Sequence, residues 1–492
     1  MSGRLPTSRT GHAFLVRLAV VATVLSLALA AALTAQQAPD RSRPPTVGPP
    51  PALRLPPLDK RTLSNGLQVW VMGVHKVPTV HLQLAMRIGI AADPAQKFGL
   101  SSLTADMLDE GAGSRNALEI ADAIDFLGAD LSATGAADAT YVDLHIPVVR
   151  LADALPVMAD VVAHPTFPDA ELKRLREERL ASLLQVEDDP ERLIQSAFPR
   201  IVFGPQHRFG TPVIGTATSL KGITAADLKA FHDSQYRPSN AALIVAGDVT
   251  ADAVVPTLER AFAAWTGAPA AKTPPVAQAP QLTSRRVYLI DKPGAAQSQI
   301  RIGWVGVARS TPDYFPLRVL NTILGEAFTS RLNNNLREVH GYAYGASSRF
   351  DMRSSAGPFY AAAGIQTDKT SEALTEFFKE LTRIHQPVEE DELTKAKNFL
   401  SLLVLRSFET SGGIASALSQ VYVYDLPADY YTTYADKIRA VTASDVKRVA
   451  DKYIQPDKFA VVIVGDRKTI EPGVKALNLG PMTIVTAAEV MK

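Results

Sequence analysis

Two stretches of this 492-residue chain match one another without a gap at an offset of 218 residues. Ile223 to Asp248 reads ITAADLKAFHDSQYRPSNAALIVAGD, and Val441 to Asp466 reads VTASDVKRVADKYIQPDKFAVVIVGD, with nine of 26 positions identical. Each copy opens on a threonine followed three residues later by an aspartate (Thr224/Asp227, Thr442/Asp445), the pattern of a helix N-cap with a capping box. Each predicted helix stops before a proline (Pro238, Pro456), and each copy closes with a β-branched run ending in Gly-Asp. Shared secondary structure does not by itself keep the same residues in register over such a length. The chain is therefore read as one module of about 200 residues used twice.

The segments around the repeat fit that reading. Ahead of it, Arg4, Arg9 and Arg17 precede the uncharged, almost wholly apolar run Leu18 to Leu33, which small residues follow. Residues 1–35 read as a secretory signal peptide, with an uncleaved membrane anchor as the other reading; sixteen residues is short for a span, which takes about 20. The expected destination is outside the cytoplasm, most naturally a bacterial periplasm. Residues 36–58 carry eight prolines and read as an extended spacer. Residues 267–281 (GAPAAKTPPVAQAPQ) read as a linker between modules at 59–266 and 282–492.

Alternation predicts strands at 67–71, 81–88, 141–147, 286–290, 299–305 and 360–365. Helical spacing appears at 100–108, 117–127, 152–162, 169–184, 314–324, 332–337, 371–384 and 390–409. Strands and helices come in groups, which favours an α+β fold: in each module a mostly antiparallel sheet covered by helices.

Composition limits the chemistry. Fifty-one basic against 50 acidic residues leave no excess charge for nucleic acid. The absence of cysteine removes disulfides, thiol catalysis and thiolate metal sites. Nine histidines remain, and no two are three or four residues apart. There is no G-x-S-x-G, P-loop or G-x-G-x-x-G, and Gly412-Gly413 reads as a break in a helical region.

Several stretches in order carry a resemblance: Leu63-Ser-Asn-Gly-Leu67, Phe98 to Leu108 (FGLSSLTADML), Gly128-Ala-Asp-Leu131, His164-Pro-Thr-Phe-Pro168, Glu187-Asp-Asp-Pro190, Ser330-Arg-Leu332, Leu336-Arg-Glu338 and Gly341-Tyr-Ala-Tyr344. The chain resembles the insulinase/pitrilysin zinc peptidases (inverzincins), in particular their two-domain branch that includes processing peptidases. Active members carry H-x-x-E-H on a helix, with a distant glutamate as third zinc ligand. The resemblance places that motif at Ser102, Ala105 and Asp106, and the third ligand at Ser182. None keeps the needed set: serine ligates zinc poorly, alanine accepts no proton, and one aspartate does not make a site. No metal is expected on this chain.

The family's second domain supplies an arginine and a tyrosine seven residues apart, which the resemblance places at Arg337 and Tyr344. Tyr342 is the neighbouring alternative, two residues away and on the same face of an extended segment. A phenol can donate to an oxyanion and a guanidinium can fix a substrate carbonyl. The resemblance implies a non-catalytic subunit of an exported heterodimeric zinc peptidase, paired with a homologous zinc-bearing subunit and handling unfolded peptides. A homodimeric peptide-binding or structural core protein is the alternative, and an enzyme with a relocated site is a third for which the sequence offers no positive feature.

Overall fold

The structure is a computed structural model and describes residues 19–24, 53–273 and 276–491. Ala52–Lys492 forms one compact unit. Residues 19–24 are helical; the rest of the expected signal peptide and the spacer up to Ala52 lie outside the described residues. Among the described residues no helix is long and apolar enough to cross a membrane.

Twelve strands make two six-stranded sheets. In the first, β1 (Leu58–Thr62), β2 (Gln68–Gly73), β3 (Thr79–Met86), β4 (Asp130–Gly135), β5 (Thr140–Pro147) and β6 (Ala241–Gly247) lie in the order β1-β2-β6-β3-β5-β4. In the second, β7 (Arg286–Asp291), β8 (Gln297–Val305), β9 (Ala343–Phe350), β10 (Pro358–Gln366), β11 (Ala460–Gly465) and β12 (Met482–Val485) lie in the order β12-β7-β11-β8-β10-β9. Five strands thus repeat in one order, and the offset of the sequence repeat survives in the pairing. Gln68 faces Ala242 across a parallel pair, and Arg286 faces Ala460 across its counterpart. The sixth strand differs. β1, from the start of the module, runs antiparallel to β2, whereas β12, from the end of the chain, runs parallel to β7. The sheets are mixed, with antiparallel pairs in the majority, as the grouping of elements predicts.

The helices that matter below are α1 (Leu100–Asp106), α2 (Asp169–Val186), α3 (Pro190–Phe203), α4 (Ala225–Gln235), α5 (Tyr314–Asn321), α6 (Glu390–Arg406), α7 (Ser411–Val423) and α8 (Ala443–Tyr453). The repeat's capping boxes are formed in α4 and α8. Thr224 and Thr442 each accept from the backbone of the aspartate three residues on, whose carboxylate accepts the threonine N–H in return.

Two helices cross between the modules. α3 leaves the first module and packs on β8 and β11 of the second, where Leu193, Ile194 and Phe198 meet Val305, Val462 and Val464. α7 does the reverse, laying Ile414, Leu418 and Val421 on β3 and β6 beside Trp70 and Ile244. Each fully buried side chain of this size contributes ~1.5–3 kcal/mol, so the modules hold one another through both exchanged helices. Polar contacts follow the same seam: Arg87 donates to the Tyr422 carbonyl (2.6 Å), and the Tyr424 hydroxyl to Asp138 (2.9 Å).

The continuous helix expected over 390–409 ends at Arg406. The Thr410 hydroxyl caps a new helix by accepting from the Gly413 N–H at 3.0 Å. Gly412 and Gly413 are therefore a helix start and not a break within one. A Cβ at Gly413 would come within 2.7 Å of the Ser407 carbonyl oxygen, so only glycine allows the chain to turn this tightly. The edge strands β4 and β9 have no counterpart in the alternation pattern: no residue of β4 is fully buried, and the buried face of β9 includes Ala346 and Ser348, too small or polar to mark an apolar period.

Candidate functional site

The first candidate site is built on α1, the helix where the resemblance places H-x-x-E-H. Its start is held from below. The buried Asp93 carboxylate accepts the N–H groups of Gly99 and Ser101, each at 2.6 Å, and pairs with Arg208. Burial pushes the Asp93 carboxyl up, and Arg208 with these hydrogen bonds pulls against it. Gly99 takes φ of 92°, where its missing Cβ lets it pass within van der Waals reach of Ile214 and Gly215. Leu100 to Ala105 are all buried. Gly135 of β4 packs so closely on Ser102 that a Cβ there would lie 2.7 Å from the Ser102 Cα.

Two of the expected ligand positions, Ser102 and Asp106, converge on a guanidinium. Arg179 of α2, only 7% exposed, donates through Nη2 to Asp106 Oδ2 at 2.5 Å and through Nη1 to Ser102 Oγ at 3.1 Å. The same nitrogen reaches the carbonyls of Ile214 (3.2 Å) and Gly99 (3.4 Å). Ser102 Oγ donates in turn to the Val213 carbonyl at 2.8 Å, and the Ala105 methyl is fully buried. Ser182 lies one turn beyond Arg179 on α2, and its hydroxyl accepts from Arg192 Nη2 at 2.8 Å. A zinc site needs unpaired lone pairs converging on one point. Here both serine hydroxyls and the Asp106 Oδ2 accept from arginine N–H groups, and a fixed positive charge stands between Ser102 and Asp106. The residues present do not fit zinc.

Sequence reasoning missed Arg179 and Arg192. The signal available was position: Arg179 precedes Ser182 by three residues and so shares its helix face. Arg174 and Arg176, on the same helix, go elsewhere. Arg174 pairs with Glu110, Glu171 and Glu178, and Arg176 donates to the carbonyls of Leu220 and Ile223.

Two of the described histidines serve structural pairs. His75 bonds Asp248 at 2.7 Å, and His81 bonds Asp143 at 2.9 Å beside Gln83. His81 faces His145 across β3 and β5, a neighbourhood that chain spacing does not reveal. Among the described residues no cluster of three or more histidine, aspartate or glutamate side chains is arranged to hold a metal ion.

The second candidate site lies in the other module. Arg337 sits in a π-helical turn, Asn334–Val339, and Tyr344 near the start of the edge strand β9. Gly341, at φ of 65°, turns the chain between them. The Arg337 guanidinium lies over the Phe328 ring (4.5 Å) and the Tyr344 ring (5.3 Å), with Glu338 at 3.4 Å. Tyr344 is 87% exposed, and Phe328 and Val339 beside it are exposed too. Tyr342 does not share this arrangement. It precedes β9, stacks on His340 at 4.9 Å, and is partly buried. The register shift between Ala343 and Ala346 breaks the regular alternation that would hold the two tyrosines on one face.

Comparison with known proteins agrees with both modules. Residues 71–216 match the family model described as "Insulinase (Peptidase family M16)", and residues 222–400 match "Peptidase M16 inactive domain". An uncharacterized zinc protease of Streptomyces coelicolor is 27% identical over 402 residues, covering 79% of this chain and 86% of the relative. One from Bacillus subtilis is 24% identical, covering 80% and 94%. Among solved structures, a peptidase M16 inactive domain from Pseudomonas fluorescens superposes with a TM-score of 0.77 at 25% identity, covering 83% of this chain and 98% of that one. A protease from Helicobacter pylori gives the same TM-score at 21% identity, covering 83% and 100%. With two modules of this fold and Ser102, Ala105 and Asp106 where active relatives carry H-x-x-E-H, the chain belongs to the insulinase family, peptidase family M16, as a non-catalytic member.

Proposed function

We propose that this chain is the non-catalytic subunit of an exported heterodimeric zinc peptidase. Its partner is a homologous subunit that carries the zinc, and its own contribution is Arg337 and Tyr344, supplied in trans to peptide substrates. The observation that carries the reading is the contrast between the sites: a guanidinium fills the zinc positions, while an arginine–tyrosine pair stands open to solvent. Relatives named as zinc proteases support peptides as the substrate class.

The chemistry available to the pair is binding and charge stabilisation. The Tyr344 hydroxyl can donate to the oxygen of a peptide carbonyl as it becomes tetrahedral. Arg337, kept planar over Phe328, can hold a neighbouring substrate carbonyl. Tyr344 lies on a sheet-edge strand, where an extended peptide can add by backbone pairing with little side-chain selection.

The test is peptide cleavage by the purified chain alone, by a homologue with intact H-x-x-E-H alone, and by their mixture. The expected result is activity in the mixture that falls about 100-fold with Arg337→Ala or Tyr344→Phe in this chain, the usual loss when one oxyanion donor is removed. Full activity with both variants overturns the contribution in trans. A stable homodimer that binds peptides and ignores the homologue favours the peptide-binding alternative.

A further inference from the structure

The second module has its own cleft where the first has the α1–β4 cleft, and it is not filled. It is a cavity of about 750 Å³ bounded by α5, the π-turn Thr322–Glu326, the end of β9, and Gln420 and Tyr424 of the exchanged helix region. The walls carry three arginines (309, 318 and 349) and two carboxylates. Both carboxylates are already engaged. Glu326 accepts from Arg318 (2.7 Å), Asn321 and Thr322, and Asp351 accepts two bonds from Arg353 (2.7 and 3.0 Å).

Arginine N–H groups are left over. Among the described residues Arg309 has no carboxylate partner: it donates to the Tyr430 hydroxyl at 2.7 Å and stacks on the Tyr314 ring at 3.6 Å, a planar, fixed cation. Arg318 Nε is buried without a hydrogen-bond partner among the described residues. A buried donor left unsatisfied is costly, so a ligand oxygen that reaches it gains a hydrogen bond the protein alone does not make.

A second cavity of about 190 Å³ adjoins the first and shares Arg309, Tyr314, Arg318 and Gln420 with it. Its remaining walls include Leu400, Val404, Leu426, Tyr430, Tyr431 and Tyr434. Burial pushes the phenols of Tyr430 and Tyr431 upward and that of Tyr434 to about 12, so they stay neutral across the physiological range. The pair of cavities therefore offers a guanidinium at the junction of a roomy polar cleft and a small aromatic–aliphatic pocket.

We propose that this double cavity binds the free C-terminus of a peptide, with the terminal carboxylate on Arg309 and the last side chain, apolar, in the tyrosine-lined pocket. Within a peptide only the C-terminal residue carries a carboxylate and an apolar side chain on one Cα, and Arg309 lines both cavities, so a single residue reaches both. The larger cleft then takes the preceding residues. Arg309 and its neighbours are separate from Arg337 and Tyr344, so this is a second peptide contact on the same module. It rests on the proposed function only in taking peptides as the ligand.

The experiment uses the full chain alone. Fluorescence anisotropy is recorded with an N-terminally labelled octapeptide ending in leucine, as the free acid and as the C-terminal amide, and with an amidated octapeptide carrying an internal glutamate. The expected result is binding of the free acid at least about tenfold tighter than both amides, as for loss of a charge-assisted bond. Arg309→Gln removes that preference, and Arg309→Lys restores part of it. Equal binding of acid and amide, equal binding of the internal glutamate peptide, or no binding at all overturns the proposal. The acid–amide comparison on the unaltered chain stands even if Arg309→Gln does not fold. Because no partner subunit is present, failure here leaves the contribution of Arg337 and Tyr344 to the mixture standing, and failure there leaves this result standing.

Discussion

The two modules share strand order and register, yet their corresponding clefts have opposite contents. In the first, Arg179 reaches across from α2 and ties Asp106, Ser102 and two backbone carbonyls into a closed hydrogen-bonded cluster. In the second, the cleft is open and its arginines retain free donors. A sheet of this kind thus fixes where a cleft lies, and a few side chains decide whether it holds a metal, fills itself, or waits for a ligand. Removing a divalent cation and its ligands leaves a polar hole, and an inward arginine is one way to satisfy it.

The comparison can be broken most severely by trying to reverse it. Ser102→His, Ala105→Glu, Asp106→His and Ser182→Glu together restore the family's ligand set, but Arg179 still stands among them. Zinc titration calorimetry is expected to show no tight binding for the fourfold variant and about one ion per chain once Arg179→Leu is added. Tight binding without the fifth change would mean that the guanidinium does not guard the cleft.

Next in size is the stability cost of opening the closed cleft. Arg179→Ala removes an ion pair and three further hydrogen bonds, and is expected to cost about 2–3 kcal/mol in urea unfolding. The solvent access of Asp106 keeps the cost below that of a fully buried pair.

Asp109, just beyond α1, gives a pH test of the same region. Burial pushes its carboxyl up to about 6, Glu110 and Asp106 adding to the rise and Arg174 opposing it. The folded state then holds a proton that the unfolded chain, with its ordinary value near 3.8, has released. Stability from this group is full below about pH 4 and is lost as pH rises through 6. Asp109→Asn is expected to stabilise by about 2 kcal/mol at pH 8 and by nothing at pH 4. A gain of the same size at both pH values would contradict the assignment.

The smallest effect belongs to the open site. Tyr344→Phe removes a hydroxyl from an exposed ring and is expected to change stability by less than about 0.5 kcal/mol. That makes it a clean variant for the mixture assay.

Much of this architecture is legible in the chain because its signals are local. Thr224/Asp227 and Thr442/Asp445 announce two equivalent helices, and the β-branched runs after Pro238 and Pro456 become the central strands β6 and β11. The exchange of α3 and α7 is not legible, since an apolar helix face does not say which sheet it will cover. At the sites, the family resemblance pairs Arg337 with Tyr344 and places the zinc positions at Ser102, Ala105, Asp106 and Ser182, none of which keeps the needed chemistry. It does not single out Arg179 among the arginines of α2, because only the fold decides which of them points inward. Nor does it separate Tyr342 from Tyr344, which depends on where β9 begins and on its irregular register.

With Arg179 among its polar groups, the first module's cleft does not suit a metal ion. The metal content of the purified protein after equilibration with zinc and gel filtration tests this directly. No stoichiometric zinc is expected, and the same value for the unaltered chain and for Ser102→Ala/Asp106→Ala. About one zinc per chain, lost in that double variant, would contradict it.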